Sequence, residues 1–103
     1  MKREQMKNIT FEIAKKDFPN QMSWYDAKKA CADLGNGWRL PTKDEVILIY
    51  ENKDKIGGIA MIFYWSSTDF NNLSAWIQNF HDGFQFYDFK NNYYSVRAVR
   101  DIK

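Results

Sequence analysis

The sequence is poor in the residues that build disulfide scaffolds and metal centres. Among its 103 residues are one cysteine, Cys31, and one histidine, His81. A single cysteine excludes an intrachain disulfide and favours a reducing compartment. One Cys and one His also cannot supply the three or four ligands of an ordinary zinc site. We therefore expect no metal and no cofactor.

The chain also lacks a long apolar run. Residues 1–7 are charged, and the following segment 9–14 is short and contains Glu12, so it does not resemble the core of a signal peptide. No stretch approaches the roughly 20 apolar residues that a membrane-spanning helix needs. The sequence predicts no membrane insertion and no signal peptide. Together with the missing disulfide, this slightly favours the cytoplasm and leaves the location of the protein open.

An excess of charge of one sign is missing as well. Fifteen Lys and Arg residues face 13 Asp and Glu residues, and the net charge is +2. A nucleic-acid surface needs a basic stripe, and the pairs Lys15-Lys16 and Lys28-Lys29 are isolated and typical of solvated positions. We expect no nucleic-acid partner.

What the chain does contain is apolar and aromatic residues. They make up 45% and 17% of the sequence, and rings bury a large area per residue. This composition and length predict a single domain, residues 1–103, with its core roughly within residues 8–101.

Two helices are indicated by their start signals. Ser23 followed by Asp26 predicts a first helix, whose apolar stripe is Trp24, Ala27, Cys31 and Leu34 and whose end is marked by Gly35. Thr42 followed by Glu45 is a capping box and predicts a second helix, although the run from Val46 to Tyr50 has strand-like composition.

Strand signals flank the helices and dominate the second half. Alternation predicts a strand within residues 8–14, and further strands at 64–68, 75–80, 84–89 and 93–100, with His81-Asp82-Gly83 as a hairpin turn. Segregated helices and strands predict the α+β class, here two helices packed on an antiparallel meander.

Three segments, with a fourth between them, carry a family resemblance. They are Gly37-Trp38-Arg39-Leu40-Pro41-Thr42, Tyr64-Trp65-Ser66-Ser67-Thr68 and Tyr94-Ser95-Val96-Arg97-Ala98-Val99-Arg100, with Ala75-Trp76-Ile77-Gln78-Asn79-Phe80 and Gly83 in between. Together, from about Met22 to Arg100, they resemble the Lcl C-terminal domain family, named for a bacterial collagen-like adhesin. The resemblance implies a C-type-lectin-like fold, a surface or secreted location, and an association with sulfated glycans.

Two departures from lectin patterns are informative. Members of the family often pair a helix cysteine with one in the final strand, but here Cys31 is matched by Ala98. The strings that animal lectins of this fold use to bind Ca²⁺, such as Glu-Pro-Asn and Trp-Asn-Asp, are absent, and Ca²⁺ needs six to eight oxygen ligands. These two departures predict a calcium-independent member of the family that lacks the disulfide.

Catalytic groups are weakly represented. Cys31 lies on the apolar stripe of the first helix, where a thiol behaves as a small hydrophobic group, and His81 is best interpreted as an exposed turn residue. The hydroxyls of residues 66–68 with His81, or a pair of carboxylates, are the remaining combinations. We expect no enzymatic activity.

The framework residues are expected to be structural. Most of the four tryptophans, Trp24, Trp38, Trp65 and Trp76, should be buried in the core. Arg39 and Arg97 should tie loops together through carbonyls or carboxylates. For Arg100 the two roles are equally supported: it is either structural or part of an anion clamp.

The candidate binding residues lie mainly outside the framework. They are polar and tyrosine side chains of the kind that adaptable recognition surfaces use, although ordinary turns and solvent-facing strands use them too. The candidates are Asp69, Asn71, Asn72, Gln78, Gln85, Tyr87, Asp88, Asn91, Asn92, Tyr93 and Arg100.

Three functions follow in order of preference. The first is a non-enzymatic, calcium-independent module that binds a glycan or protein through its C-terminal loops and sheet, with homo-oligomerisation as a source of avidity. The second is an intracellular protein–protein interaction or scaffold domain of a phage or secretion cassette. The third is a small hydrolase that uses His81 or a carboxylate pair.

Overall fold

The fold is α+β, as the sequence predicts. A computed structural model describes residues 8–102, in which helices precede most of the strands. The described elements are, in order, β1 (Phe11–Ile13), α1 (Trp24–Asp33), α2 (Lys43–Glu51), α3 (Lys53–Ile56), β2 (Phe63–Asp69), β3 (Ser74–Asn79), β4 (Gln85–Phe89) and β5 (Val99–Asp101). No helix in this part of the chain is long and apolar enough to cross a membrane.

Both predicted helix starts are confirmed. The Ser23 hydroxyl accepts the Asp26 N–H at 3.1 Å. In the α2 capping box, Thr42 Oγ1 accepts the Glu45 N–H at 3.2 Å and Glu45 Oε1 accepts the Thr42 N–H at 2.8 Å. These bonds satisfy donors that have no partner inside the first turn.

Two details of the helices differ from the prediction. Leu34, predicted on the apolar stripe of α1, is exposed, because α1 ends at Asp33 and Leu34 is already its C-cap. The single turn α3 was not predicted, since four residues carry too little periodicity to be recognised.

The strands form two sheets. The meander β2-β3-β4 is antiparallel, and β1 pairs with β5 in a separate antiparallel sheet. The prediction that residues 93–100 form one strand continuing the meander is therefore wrong. Only Val99–Asp101 is a strand, and it lies beside the N-terminal β1.

Residues 94–98 cross the molecule instead of joining the meander. Val96 and Ala98 accept hydrogen bonds from Phe18 and Ala14, while Ser95 accepts one from Trp65. This segment has neighbours on both sides and is mostly buried. Its backbone is satisfied by two different parts of the chain, which is why it pairs without forming a regular ladder.

The core is divided by the three-stranded sheet. One cluster joins α1 to one face through Trp24, Cys31 and Ile77, among others, and the second joins α2 to the other face. Neighbouring β2 residues Tyr64 and Trp65 belong to different clusters because successive strand side chains point to opposite faces.

Arg39 and Arg97 are structural, as predicted. Arg97 is 2% exposed and donates to Asp17 Oδ1 at 2.6 Å and to the carbonyls of Ala14 and Gly58 at 2.9 Å each. Arg39 makes a bidentate pair with Glu45 at 2.7 and 2.9 Å. The two guanidinium groups join segments that no regular ladder connects.

Candidate ligand-binding site

A tight turn after β2 places Phe70 against the sheet. Asn71 Oδ1 accepts the N–H groups of Leu73 at 2.9 Å and Ser74 at 2.8 Å, and the Phe70 N–H donates to the Ser74 carbonyl at 2.8 Å. An Asn side chain that bonds the backbone ahead of it is a standard way to close such a turn. Asn71, a candidate ligand residue, is thus used to shape this loop.

Three aromatic rings meet beside this turn. Trp76 on β3 lies directly opposite Tyr87 on β4, and such cross-strand neighbours contact each other on one face of the sheet. The Phe70 and Tyr87 rings are parallel, with centroids 3.6 Å apart, and the Trp76 ring stands edge-on to both at 5.6 Å.

The first residue of α2 adds a cation to this cluster. Lys43 Nζ lies 3.7 Å from the centroid of the Trp76 ring, a favourable cation–π position. The Lys43 N–H donates to Thr68 Oγ1 at 2.9 Å, and its carbonyl accepts from Gln85 Nε2 at 3.2 Å. These bonds hold the start of α2 against the sheet.

Lys43, Phe70, Trp76 and Tyr87 are called the aromatic site below. Phe70 is 43% and Tyr87 52% exposed, and Trp76 is half-buried. An open group of rings next to one ammonium can bind an apolar surface and an adjacent polar or anionic group at the same time.

Lys90 fixes the turn of the aromatic site to the end of β4. Although it is charged, its side chain is almost fully buried, and Nζ lies 2.8 Å from Asp69 Oδ1 and 3.1 Å from the Asn72 carbonyl. The same ammonium lies 4.2 Å from the centroid of the Trp24 ring. Asp69, a candidate ligand residue, is therefore engaged by an internal cation.

Asp88 is also engaged within the protein. Its carboxylate accepts hydrogen bonds from the Tyr94 hydroxyl and, at 2.7 Å, from the Phe89 N–H. Burial opposes ionisation of this carboxyl, but the bonds from Tyr94, Asn92 and Phe89 outweigh it and lower the pKa of Asp88. Burial and the Asp88 contact raise the pKa of Tyr94 to about 12, so Asp88 is charged and Tyr94 neutral at physiological pH.

Two candidate residues are not on the surface that the prediction assigned them. Gln78 is 1% exposed, because α2 covers this face of β3, and its Nε2 donates to the Gly83 carbonyl at 3.1 Å. Arg100 lies on β5 in the other sheet, where it pairs with Glu12 at 2.7 Å and covers the Trp38 ring at 4.5 Å. In these contacts Arg100 has the structural role rather than that of an anion clamp.

The other candidates do not form one group. Gln85 is half-buried against Lys43, while Asn91 is exposed in a shallow hollow with Tyr25, Leu73 and Phe89. The Asn92 N–H donates to the Phe89 carbonyl. Tyr93 is exposed in a separate groove that is lined by both apolar and polar residues, among them Met61, Ile62, Asn79 and His81.

The sequence-based reasoning missed two members of the aromatic site. Trp76 was assigned to the core with the other tryptophans, but only Trp24 and Trp65 are fully buried, and Trp38 and Trp76 are half-buried. Lys43 was considered only as part of a helix start. The sequence holds no local signal for either residue, because the exposure of Trp76 and the approach of Lys43 to its ring depend on how α2 packs on the sheet.

The described residues contain no group of three or more His, Cys, Asp or Glu side chains that could hold a metal ion. His81 is exposed in its turn, and Cys31 is fully buried, which raises the pKa of its thiol to about 12. A thiol protonated at neutral pH is a poor nucleophile.

Fold and site define a small α+β domain with an open aromatic surface at one sheet edge. Its sequence matches the model of the Lcl C-terminal domain over residues 3–100. The chain belongs to that family, and the match extends the resemblance of the sequence motifs to nearly the whole chain. Comparison with curated proteins gives no matching relative.

Proposed function

We propose that this domain is a non-catalytic, calcium-independent binding module that recognises a glycan through the aromatic site. The observation that carries the proposal is the exposed cluster of Phe70, Trp76 and Tyr87 beside the Lys43 ammonium. Ring faces complement the apolar faces of sugar rings, and the nearby ammonium and amide groups suit hydroxyl or anionic substituents. The resemblance to the collagen-like adhesin's domain, associated with sulfated glycans, points the same way.

The proposal is supported by how firmly the site is held. The turn at Asn71, the Lys90 contacts and the Gln85–Lys43 bond fix the aromatic side chains before any ligand arrives. A preorganised surface loses less conformational entropy on binding. The carboxylates nearby, Asp69 and Asp88, already have partners, which favours recognition without calcium.

The test is glycan-array binding followed by titration of the best glycan. We expect Phe70→Ala and Tyr87→Ala each to weaken binding about tenfold or more, as loss of an aromatic anchor typically does. Tyr25→Ala is the matched control, because Tyr25 is 53% exposed and lies on α1 outside the aromatic site. The affinity of this variant for the glycan should stay within about twofold of the wild-type affinity.

Three results would contradict the proposal. Binding that survives both Phe70→Ala and Tyr87→Ala would place recognition elsewhere, and a blank array would argue against glycans. Turnover of a generic ester or glycoside that is lost in His81→Ala would establish an enzyme.

The alternative is a protein-interaction domain, and one observation favours it. The groove beside Tyr93 is open, and Met61 and Ile62 expose apolar side chains in it; exposed apolar side chains that lie together often mark protein contacts. A blank array together with saturable binding of a purified partner that Tyr93→Ala abolishes would support this function.

A further inference from the structure

The outer edge of β4 carries backbone groups that no described residue satisfies. β4 is the last strand of the meander β2-β3-β4 and has β3 on one side only. A free edge strand exposes a row of N–H and C=O groups that can pair with another chain.

The hydrogen-bond register identifies the open groups. The Asn79 N–H donates to the Phe84 carbonyl, and the Lys90 N–H donates to the Leu73 carbonyl. Since bonded pairs alternate along an antiparallel ladder, Phe86 and Asp88 also point their backbone groups toward β3. Gln85, Tyr87 and Phe89 therefore point theirs outward.

The open part of this edge is short because both of its ends are closed. The Phe89 N–H donates to Asp88 Oδ1, and the Phe89 carbonyl accepts the Asn92 N–H. At the other end, the Gly83 N–H donates to the Asn79 carbonyl and the Gly83 carbonyl accepts from Gln78. Two outward donors and two outward acceptors remain, on Gln85 and Tyr87.

These four groups are symmetric about Phe86. We propose that β4 pairs antiparallel with β4 of a second copy of this chain, joining two meanders into one six-stranded sheet. Gln85 of each copy then exchanges both backbone bonds with Tyr87 of the other, so that all four open groups are satisfied by one two-fold axis. Phe86 lies on the axis and faces Phe86 of the second copy.

The side chains of β4 are compatible with this pairing. In this register Phe84 faces Asp88 of the second copy, so the two Asp88 carboxylates are not opposed and no like charges meet. Phe89 faces Gly83 of the second copy, which has no side chain to obstruct the ring.

The exposed rings of β4 add apolar area to this pairing. Phe84, Phe86 and Phe89 lie outside the aromatic site, and each is half exposed or more. Rings of about 150–250 Å² then contribute roughly 300 Å² per copy before the strand backbone is counted, which is the area of a weak, concentration-dependent interface and leaves the Tyr87 ring open for a ligand.

The first test is the mass of the full chain in solution, measured by sedimentation equilibrium. We expect twice the 12.3 kDa of one chain. Phe86→Lys and Phe86→Glu should each give monomers, because two like charges would meet on the axis, and an equal mixture of the two should re-form a heterodimer. Leu34→Lys introduces the same charge at an exposed apolar residue directly after α1 and should leave the dimer intact.

The second test is disulfide trapping, which needs no loss of packing. At the axis the two Cα atoms of residue 86 would be about 4.5 Å apart, within the range of a disulfide. Residues 84 of the two copies would be separated by four residues along the strand, about 13 Å. Oxidation should therefore cross-link Phe86→Cys about tenfold faster than Phe84→Cys, and the buried Cys31 adds no background.

Either of two outcomes overturns the proposal. One is a wild-type chain that stays monomeric up to its solubility limit and a Phe86→Cys variant that cross-links no faster than Phe84→Cys. The other is a dimer that persists in Phe86→Lys, which would place the interface elsewhere. Glycan binding by wild-type monomers would leave the proposed function standing while this inference fails.

Discussion

At the scale of single residues, two buried cations hold together segments that have little regular structure. Arg97 joins residues 14, 17 and 58, and Lys90 joins the turn after β2 to the Trp24 ring. Their side chains leave water only because each polar atom finds a partner, which is the usual condition for burying charge.

Arg97→Lys is expected to destabilise the fold by about 2–4 kcal/mol, because one ammonium cannot reach the carboxylate and both carbonyls, and buried acceptors lose their partners. Chemical denaturation measures the free energy of unfolding. Lys29→Gln is the control, since its pair with Asp33 is exposed and its loss should leave the free energy of unfolding close to that of the wild type. Equal effects of the two substitutions would contradict the structural role of Arg97.

At the scale of elements, α2 begins at an interaction shared by three side chains. Thr42 and Glu45 cap each other, and the same Glu45 carboxylate pairs with Arg39, which also contacts Asp101 at 2.7 Å. The helix start is thereby joined to the strand β5 at the far end of the chain.

Thr42→Ala should lower the free energy of unfolding by about 1 kcal/mol, whereas Thr42→Ser, which keeps the hydroxyl, should be close to wild type. The hydroxyl that caps the helix is uncharged, so this loss of unfolding free energy should not depend on pH. Urea denaturation at several pH values measures it, and a loss shared equally by Thr42→Ser would rule out the cap as its cause.

The ion pair of Glu45 with Arg39 predicts that the free energy of unfolding depends on pH. Burial opposes ionisation of this carboxyl, but bonds from Arg39 and Thr42 outweigh it and lower its pKa below the ordinary 4.5. A carboxyl whose pKa is lower in the folded than in the unfolded protein stabilises the fold at pH values above its unfolded-state pKa. This contribution is lost as the pH falls through its folded-state pKa.

The difference in unfolding free energy between wild type and Glu45→Gln should therefore be full near neutral pH and shrink as the pH falls below about 4.5. The same urea series measures it, with Thr42→Ala as the pH-independent comparison. A difference that stays constant into acid would show that the charge of Glu45 contributes nothing.

At the scale of the whole molecule, the meander separates two clusters of core residues that belong to α1 and α2. Cys31 lies inside the α1 cluster at 0% exposure. Reagents cannot reach this thiol while the cluster is packed, so its reactivity reports the opening of the molecule.

Burial raises the pKa of Cys31 to about 12, so the native thiol should stay protonated and unreactive toward an aromatic disulfide reagent at pH 8. The rate of its modification should rise in parallel with global unfolding as urea is added. An exposed cysteine introduced as Leu34→Cys should react at once. Rapid native reaction of Cys31 would contradict the burial of α1.

Much of the chain's local structure could be predicted from the sequence. Ser23 caps the N–H of Asp26 and Thr42 caps that of Glu45, in each case three residues further along the chain, so the starts of α1 and α2 follow from spacing alone. The Asp-Gly turn and the motif order likewise predict the β3–β4 hairpin and the family. Arg39 and Arg97 were recognised as structural because guanidinium groups among apolar neighbours need internal partners.

Only the tertiary structure decided which of these elements meet. Val99–Asp101 pairs with β1 from the other end of the chain, and Gln78 and Lys90 are buried because α2 and the turn at Asn71 cover them. The aromatic site combines residues of α2, the turn, β3 and β4. Capping and alternation are properties of neighbouring residues, whereas burial and the position of a strand at a sheet edge depend on what packs there, and no local pattern encodes that.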